Sequence, residues 1–191
     1  MSDTTIATGK VVVNRSMSLD GFIAGPGDAM DWIFDFMAID APSQMEAAAA
    51  TGAMLIGRRT AEVGARMEAN RARGSESAGE GYPFHGPLFV LTHRSLDPPA
   101  PDVTILTGDI GEAVATALKA AGGKDLQILG ADVAGQCLER GLVDEIVVTV
   151  LPVLLGDGIR FSPPALSRID LEPISSAREG AVTILRFRVR K

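Results

Sequence analysis

The chain predicts an α/β fold, one domain (1–191) with a mostly parallel sheet and an antiparallel edge. Three observations lead there. Short apolar segments recur, each running straight into small, hydroxyl or basic residues: Val11-Val12-Val13 before Asn14-Arg15-Ser16, Met54-Leu55-Ile56 before Gly57-Arg58-Arg59-Thr60, Leu88-Phe89-Val90-Leu91 before Thr92-His93-Arg94, and Leu126-Gln127-Ile128-Leu129 before Gly130-Ala131-Asp132-Val133. Buried parallel strands have this character, and ligands gather outside their carboxyl ends. Helical patterns alternate with these strands early in the chain. Late in the chain strands dominate, and residues 181–190 alternate cleanly. Two of the four segments end in the arginine-bearing turns Gly57-Arg58-Arg59-Thr60 and Thr92-His93-Arg94, which points to an anionic ligand such as a phosphorylated nucleotide.

Residues 10–15 predict the first strand. Asp20-Gly21 is a turn, Phe22-Ile23-Ala24 a brief extended continuation and Gly25-Pro26-Gly27-Asp28 a loop. Pro42-Ser43 opens a helix through the run Gln44 to Ala50, and Gly52 is expected to end it. Residues 53–57 form a second strand and Thr60 to Met67 a short helix. Residues 69–86 hold few large apolar groups and predict a long surface loop, either gating a site or inserted without a role. Strands follow at 88–92 and 103–106. Asp109 caps a helix through Ala121, with Gly122-Gly123 as its stop. A strand at 125–129 leads to a helix from Asp132 to Arg140, closed by Gly141, and then to a strand at 143–151. Leu155-Gly156-Asp157-Gly158 is a turn and Pro163-Pro164 a break. In the last strand Leu185, Phe187 and Val189 face one way and Arg186, Arg188 and Arg190 the other, as in a half-solvated antiparallel strand.

At 191 residues the chain is long enough for a substantial core. Its net charge of −6 argues against bulk attraction to nucleic acid or an anionic membrane. No apolar run reaches bilayer-spanning length, and the polar, acidic start Met1-Ser2-Asp3-Thr4-Thr5 does not read as a signal peptide. The lone Cys137 makes no internal disulfide, so a reducing cytoplasm is the simplest setting. With His85 and His93 it cannot build a Cys/His metal cage, and no metal is expected.

The candidate chemistry sits at the strand ends. Gly57 lets a ligand approach the backbone, Arg58 and Arg59 suit phosphate, and Thr60 can cap or donate. Thr92, His93 and Arg94 can bracket a ribose 2′-phosphate. Gly130-Ala131-Asp132-Val133 opens a helix with small residues, against which a pyrophosphate can lie. Asp132 is either the helix N-cap or must turn its carboxylate away from that anion. Cys137 reads as buried packing. In the run Asp28 to Phe36, Trp32, Phe34 and Phe36 can stack on a flat heterocycle, with Asp31 or Asp35 bonding its ring nitrogens. A core or dimer contact explains the same aromatics.

Taken in order, these segments resemble the dihydrofolate-reductase-like superfamily. The closer likeness is to the reductase C-terminal domain of riboflavin biosynthesis enzymes and its stand-alone bacterial relatives. The likeness rests on Ser16 to Gly25, Gly57 to Thr60, Phe89 to Arg94, Gly130 to Ala134, Gly141 to Ile146 and Pro152 to Gly158. It implies a three-layer α/β/α fold, NADPH as hydride donor and a homodimer. It would set Ser16, Ile23 and Ala24 beside the nicotinamide. Gly57, Arg58, Arg59 and Thr60 would hold phosphates. Thr92, His93 and Arg94 would lie near the adenosine 2′-phosphate, with Leu91 also at the cofactor, and Gly130, Ala131, Asp132 and Val133 along the pyrophosphate. Thr149 matches a threonine of the pterin pocket. The acidic residue that serves the pterin falls near Ala41, with Asp40 adjacent. The activity expected is NADPH-dependent reduction of a pterin-like or aminouracil-like heterocycle. Asp31, Asp35 and Thr149 are the catalytic candidates, and Asp31, Trp32, Phe36 and Thr149 those for substrate. The alternative is a protein that holds a nucleotide or antifolate-like ligand without turnover.

Overall fold

The computed structural model describes residues 9–38, 41–73, 82–94, 96, 103–163 and 166–191. The elements run β1 (Val11–Ser18), β2 (Phe22–Ala24), α1 (Pro42–Ala50), β3 (Thr51–Gly57), α2 (Arg58–Ala72), β4 (Leu88–Leu91) and β5 (Val103–Leu106). They continue with α3 (Ile110–Ala120), β6 (Asp125–Leu129), α4 (Ala131–Glu139), β7 (Glu145–Leu151), β8 (Ile159–Arg160), β9 (Leu171–Glu179) and β10 (Val182–Val189). The main sheet has eight strands in the order β5-β4-β3-β6-β1-β7-β10-β9. Neighbours from β5 to β7 are parallel. β10 is antiparallel to both β7 and β9, so it alone runs against the other strands.

Strand order decides where the helices go. The chain leaves β1 toward β3 and β4, then returns from β5 through β6 to β7. Right-handed crossovers in opposite directions place α1 and α2 on one face and α3 and α4 on the other. This is the expected three-layer α/β/α arrangement. The main core fills the α3/α4 side: Val11, Val13, Leu55, Leu126, Ile128 and Ile146 from the sheet meet Val114, Ala117, Val133 and Cys137 from the helices. Alternation along β1 sends Val12, Asn14 and Ser16 to the opposite face. There α1 buries none of its residues, and a cleft lies beneath it.

Local signals account for several boundaries. Asp109 accepts from the Gly111 and Glu112 amides and caps α3. Past its end, Gly122 and Gly123 both adopt positive φ. Other boundaries differ from expectation. Gly52 lies inside β3, because the strand starts directly at Thr51 after α1. The second helix runs from Arg58 to Ala72, so the first residues of the expected 69–86 loop are helical, while 74–81 lie outside the described residues. Two strands were not expected. β8 pairs with β2 in a small antiparallel ribbon. β9 is an edge strand of mostly exposed residues and contains Pro173, as edge positions tolerate. Among the described residues no helix is long and apolar enough to cross a membrane.

Candidate active site

β3 and β6 are parallel neighbours, with Ile56 opposite Leu129, so the helices that follow them start side by side. α2 begins at Arg58 immediately after β3, and Gly130 is the N-cap of α4. Gly130 has φ +89°, and a Cβ there would sit 2.4 Å from Thr60 Oγ1 and 3.8 Å from the Gly57 nitrogen. A Cβ on Gly57 would stand 3.2 Å from Val133 Cγ2. The two turns thus form one cradle of backbone and small side chains, floored by two helix starts with unpaired amides. Asp132 is not the N-cap. It lies in the first turn of α4 and accepts from Gln136 Nε2 at 2.9 Å, so its carboxylate turns along the helix.

Basic residues flank the cradle, but carboxylates hold two of them. Arg58 pairs with Glu62 one turn along α2. Arg59 Nε donates to both carboxylate oxygens of Asp28, at 2.8 and 3.1 Å. Asp28 ends the turn after β2 and has φ +64°, the one positive φ outside glycine among the described residues. At the end of β4, Thr92 is buried and its hydroxyl is bonded to both the amide and the carbonyl of Arg94, so it shapes the turn. His93 and Arg94 are exposed at that turn. Leu91 packs against the main core.

Arg15 was not anticipated. It follows Val11 and Val13 on the core-facing side of β1 and is 7% exposed. Its Nη2 donates to the Gly130 carbonyl, while Nε and Nη1 are buried without a partner. The Phe161 ring centroid lies 5.7 Å from its guanidinium carbon. Burial lowers its pKa to about 10, an effect opposed by Cys137, so it stays charged at neutral pH. Burial likewise pushes the Cys137 thiol up to about 12, with Arg15 opposing. The sequence signal was a charged residue in the inward phase of an apolar strand. These features fit a dinucleotide: a glycine cradle that a side chain would block, paired helix starts, basic strand ends and buried guanidinium nitrogens without partners.

Across β1 lies the second part of the site. Ser16 pairs in register with Thr149 of β7, which is 2% exposed. Thr149 lines a cleft of about 310 Å³ under α1, together with Asn14, Thr51, Gln127 and Arg186. Ser16 lines an adjoining cavity of about 150 Å³ with Ile33, Phe34, Met37 and Tyr82, and Gln44 borders both. The Tyr82 hydroxyl donates to Gln127 Oε1 at 3.2 Å, and burial raises its pKa. At one end of the cleft Arg186 donates to the buried Glu145, which Lys10 also pairs at 2.7 Å. Burial pushes the Glu145 pKa up, but these two cations outweigh it and leave it lowered.

The aromatic–acidic segment divides. Phe34 faces the smaller cavity. Trp32 and Phe36 instead pack with Ile33, Leu151 and Val182, so their apolar surface is taken up by a small core, and Trp32 Nε1 donates to the Ala29 carbonyl. Asp31 and Asp35 are exposed and line neither cavity. Asp40 lies outside the described residues. Ile23 and Ala24 lie on β2 beside β8 and border neither cavity. Asn14, Thr51, Gln44, Gln127 and Tyr82 were missed, because nothing local in the sequence marks an isolated polar residue as facing a cleft.

The family model of the RibD C-terminal domain matches residues 9–185. Among solved structures, a protein of Shewanella sp. PV-4 described as a riboflavin biosynthesis protein has a TM-score of 0.75 at 22% identity, covering 95% of this chain and 99% of its own. The Thermotoga maritima diaminohydroxyphosphoribosylaminopyrimidine deaminase/5-amino-6-(5-phosphoribosylamino)uracil reductase has 0.64 at 13% identity, over 96% of this chain and 57% of that longer one. A dihydrofolate reductase from Enterococcus faecalis, complexed with NADP(H), has 0.56 at 16% identity, covering 96% of this chain and 98% of that one. No curated protein sequence matches the chain. The shared fold is dihydrofolate-reductase-like, and by its sequence the chain belongs to the RibD C-terminal domain family.

Proposed function

We propose that this protein is an NADPH-dependent reductase of a small nitrogen heterocycle, pterin-like or aminouracil-like. The observation that carries the reading is the junction of two sites across β1. The Gly57–Thr60 and Gly130–Val133 turns form the cradle; Thr149 lines the cleft under α1, and Ser16, its partner on β1, lines the smaller cavity. In this reading the cradle amides and Thr60 hold the pyrophosphate, with Arg58, Arg59, His93 and Arg94 at the outer phosphates. Bound NADPH supplies the hydride. The chain's own contribution is orientation: Thr149, Asn14 and Gln127 offer hydroxyl and amide partners to a heterocycle edge, and Phe34 offers it an aromatic neighbour. The chain is further proposed to act as a homodimer, which light scattering at micromolar concentration tests.

The test is titration with NADPH and NADH followed by Trp32 fluorescence, then NADPH oxidation with pterins and aminouracils. Saturable NADPH binding with turnover supports the reading, and absence of NADPH binding rejects it. One observation favours holding without turnover: Asp31 and Asp35, the acidic candidates, line neither cavity. That second reading requires tight ligand binding and no NADPH oxidation with either substrate class.

A further inference from the structure

We infer that Arg15 is the buried counter-charge for phosphate taken up at the Gly130 turn, an inference that rests on the dinucleotide reading of that turn. Two independent features meet there. The first is the start of α4, a nine-residue helix whose first-turn amides and dipole favour an anion. The second is Arg15, a residue 7% exposed, with two guanidinium nitrogens buried and unpartnered and the third on the N-cap carbonyl.

A buried cation is tolerated when something neutralises it. Among the described residues no carboxylate forms an ion pair with Arg15. Its recorded neighbours are the Gly130 carbonyl, the Phe161 ring and the Cys137 thiol, which burial keeps protonated. A ring face and one carbonyl compensate a guanidinium only in part. The positive charge therefore stands uncancelled within about one helical turn of the α4 amides. Low-dielectric surroundings strengthen its field there. An arriving phosphate would meet the dipole and the buried charge together. The bond to the Gly130 carbonyl gives Arg15 a second effect. That carbonyl also accepts the Ala134 amide at 3.2 Å, so the bond ties the guanidinium to the first turn of α4.

The competing account makes Arg15 a structural pin held by Phe161. The variants R15Q, R15M and R15K separate the two. R15Q keeps a donor for the Gly130 carbonyl and loses the charge, whereas R15K keeps the charge. The full chain is titrated with NADPH and, separately, with inorganic pyrophosphate, by calorimetry and by ligand-induced thermal shift. R15Q and R15M are expected to weaken NADPH binding roughly tenfold or more and to abolish protection by pyrophosphate, with R15K restoring most of both. R15Q binding NADPH within twofold of wild type overturns the inference and leaves the reductase reading intact. Wild type protected by pyrophosphate through Arg15, but not binding NADPH, keeps the inference and overturns the dinucleotide reading. Wild type binding neither overturns both. Should the neutral variants not fold, arginine side-chain ¹⁵N spectra of wild type decide. A protected Nε–H absent from R15K must shift on saturation with pyrophosphate, and a resonance that does not move overturns the inference.

Discussion

Ser16 stands directly opposite Thr149 in the parallel β1–β7 pair, and both open onto the α1 side of the sheet. The pairing joins the strand end assigned to the cofactor with the cleft assigned to the substrate. Thr149 is almost fully buried, so its hydroxyl is a fixed polar group. T149V keeps the shape and removes the hydroxyl. It is expected to lower kcat/KM for the heterocycle by roughly tenfold, about one lost hydrogen bond. The dissociation constant for NADPH should stay as in wild type. An equal loss in both would place Thr149 in the cofactor site instead.

Gly130 and Thr60 touch so closely that neither can grow. G130A puts a methyl 2.4 Å from Thr60 Oγ1 on a residue with φ +89°. The strain should cost about 1–3 kcal/mol in urea unfolding, and NADPH binding should weaken with it. Pairing it with T60A removes the Oγ1 contact, leaving the Thr60 Cβ at 3.6 Å, but not the positive φ. The double variant should therefore recover only part of the stability. Full recovery would show that the contact alone matters.

The cradle between the two glycine turns was legible in the sequence because its layout depends on local facts. An apolar strand running into glycine and then a helix start is visible residue by residue, as is Asp109 before the α3 pattern. Of the cleft proposed for substrate, Thr149 was named through the family resemblance, whereas Asn14 and Gln127 were not, because the three come from strands that only the β6-β1-β7 order makes neighbours. β9 escaped notice for a different reason. Its residues are mostly exposed on both faces, so Leu171-Glu172-Pro173-Ile174-Ser175-Ser176 carries no period-two pattern. Trp32 and Phe36 stayed open between ligand and core because an aromatic stripe looks the same whether it meets a heterocycle or, as here, Leu151 and Val182.

Asp20 ties the two turn motifs of the chain together. Its carboxylate accepts from Ser18 Oγ at 2.6 Å, Leu155 N at 3.1 Å and Gly156 N at 2.8 Å. The Ser18 hydroxyl, aided by those two amides, lowers its pKa from 3.8 to about 2. A carboxylate with a depressed folded pKa adds stability above its unfolded pKa and loses it as pH falls through the folded value. The wild-type urea midpoint should therefore drop between about pH 4 and pH 2 by more than that of D20N. Parallel pH profiles for the two proteins would show that Asp20 is not the group titrating.

In the free protein the Asp28 carboxylate occupies the Arg59 guanidinium, which the proposed function assigns to phosphate. The pair is partly exposed, with the Arg59 side chain 65% accessible, so it contributes little to stability. Asparagine tolerates the left-handed backbone that Asp28 adopts at φ +64°. D28N should therefore fold as well as wild type and bind NADPH severalfold more tightly, because Arg59 no longer has to leave a carboxylate. R59Q should weaken NADPH binding, and D28N should have no effect in the R59Q background. Measuring the four dissociation constants as a cycle checks the coupling directly. A gain from D28N that persists without Arg59 would mean that Asp28 repels the cofactor through space, not by holding this arginine.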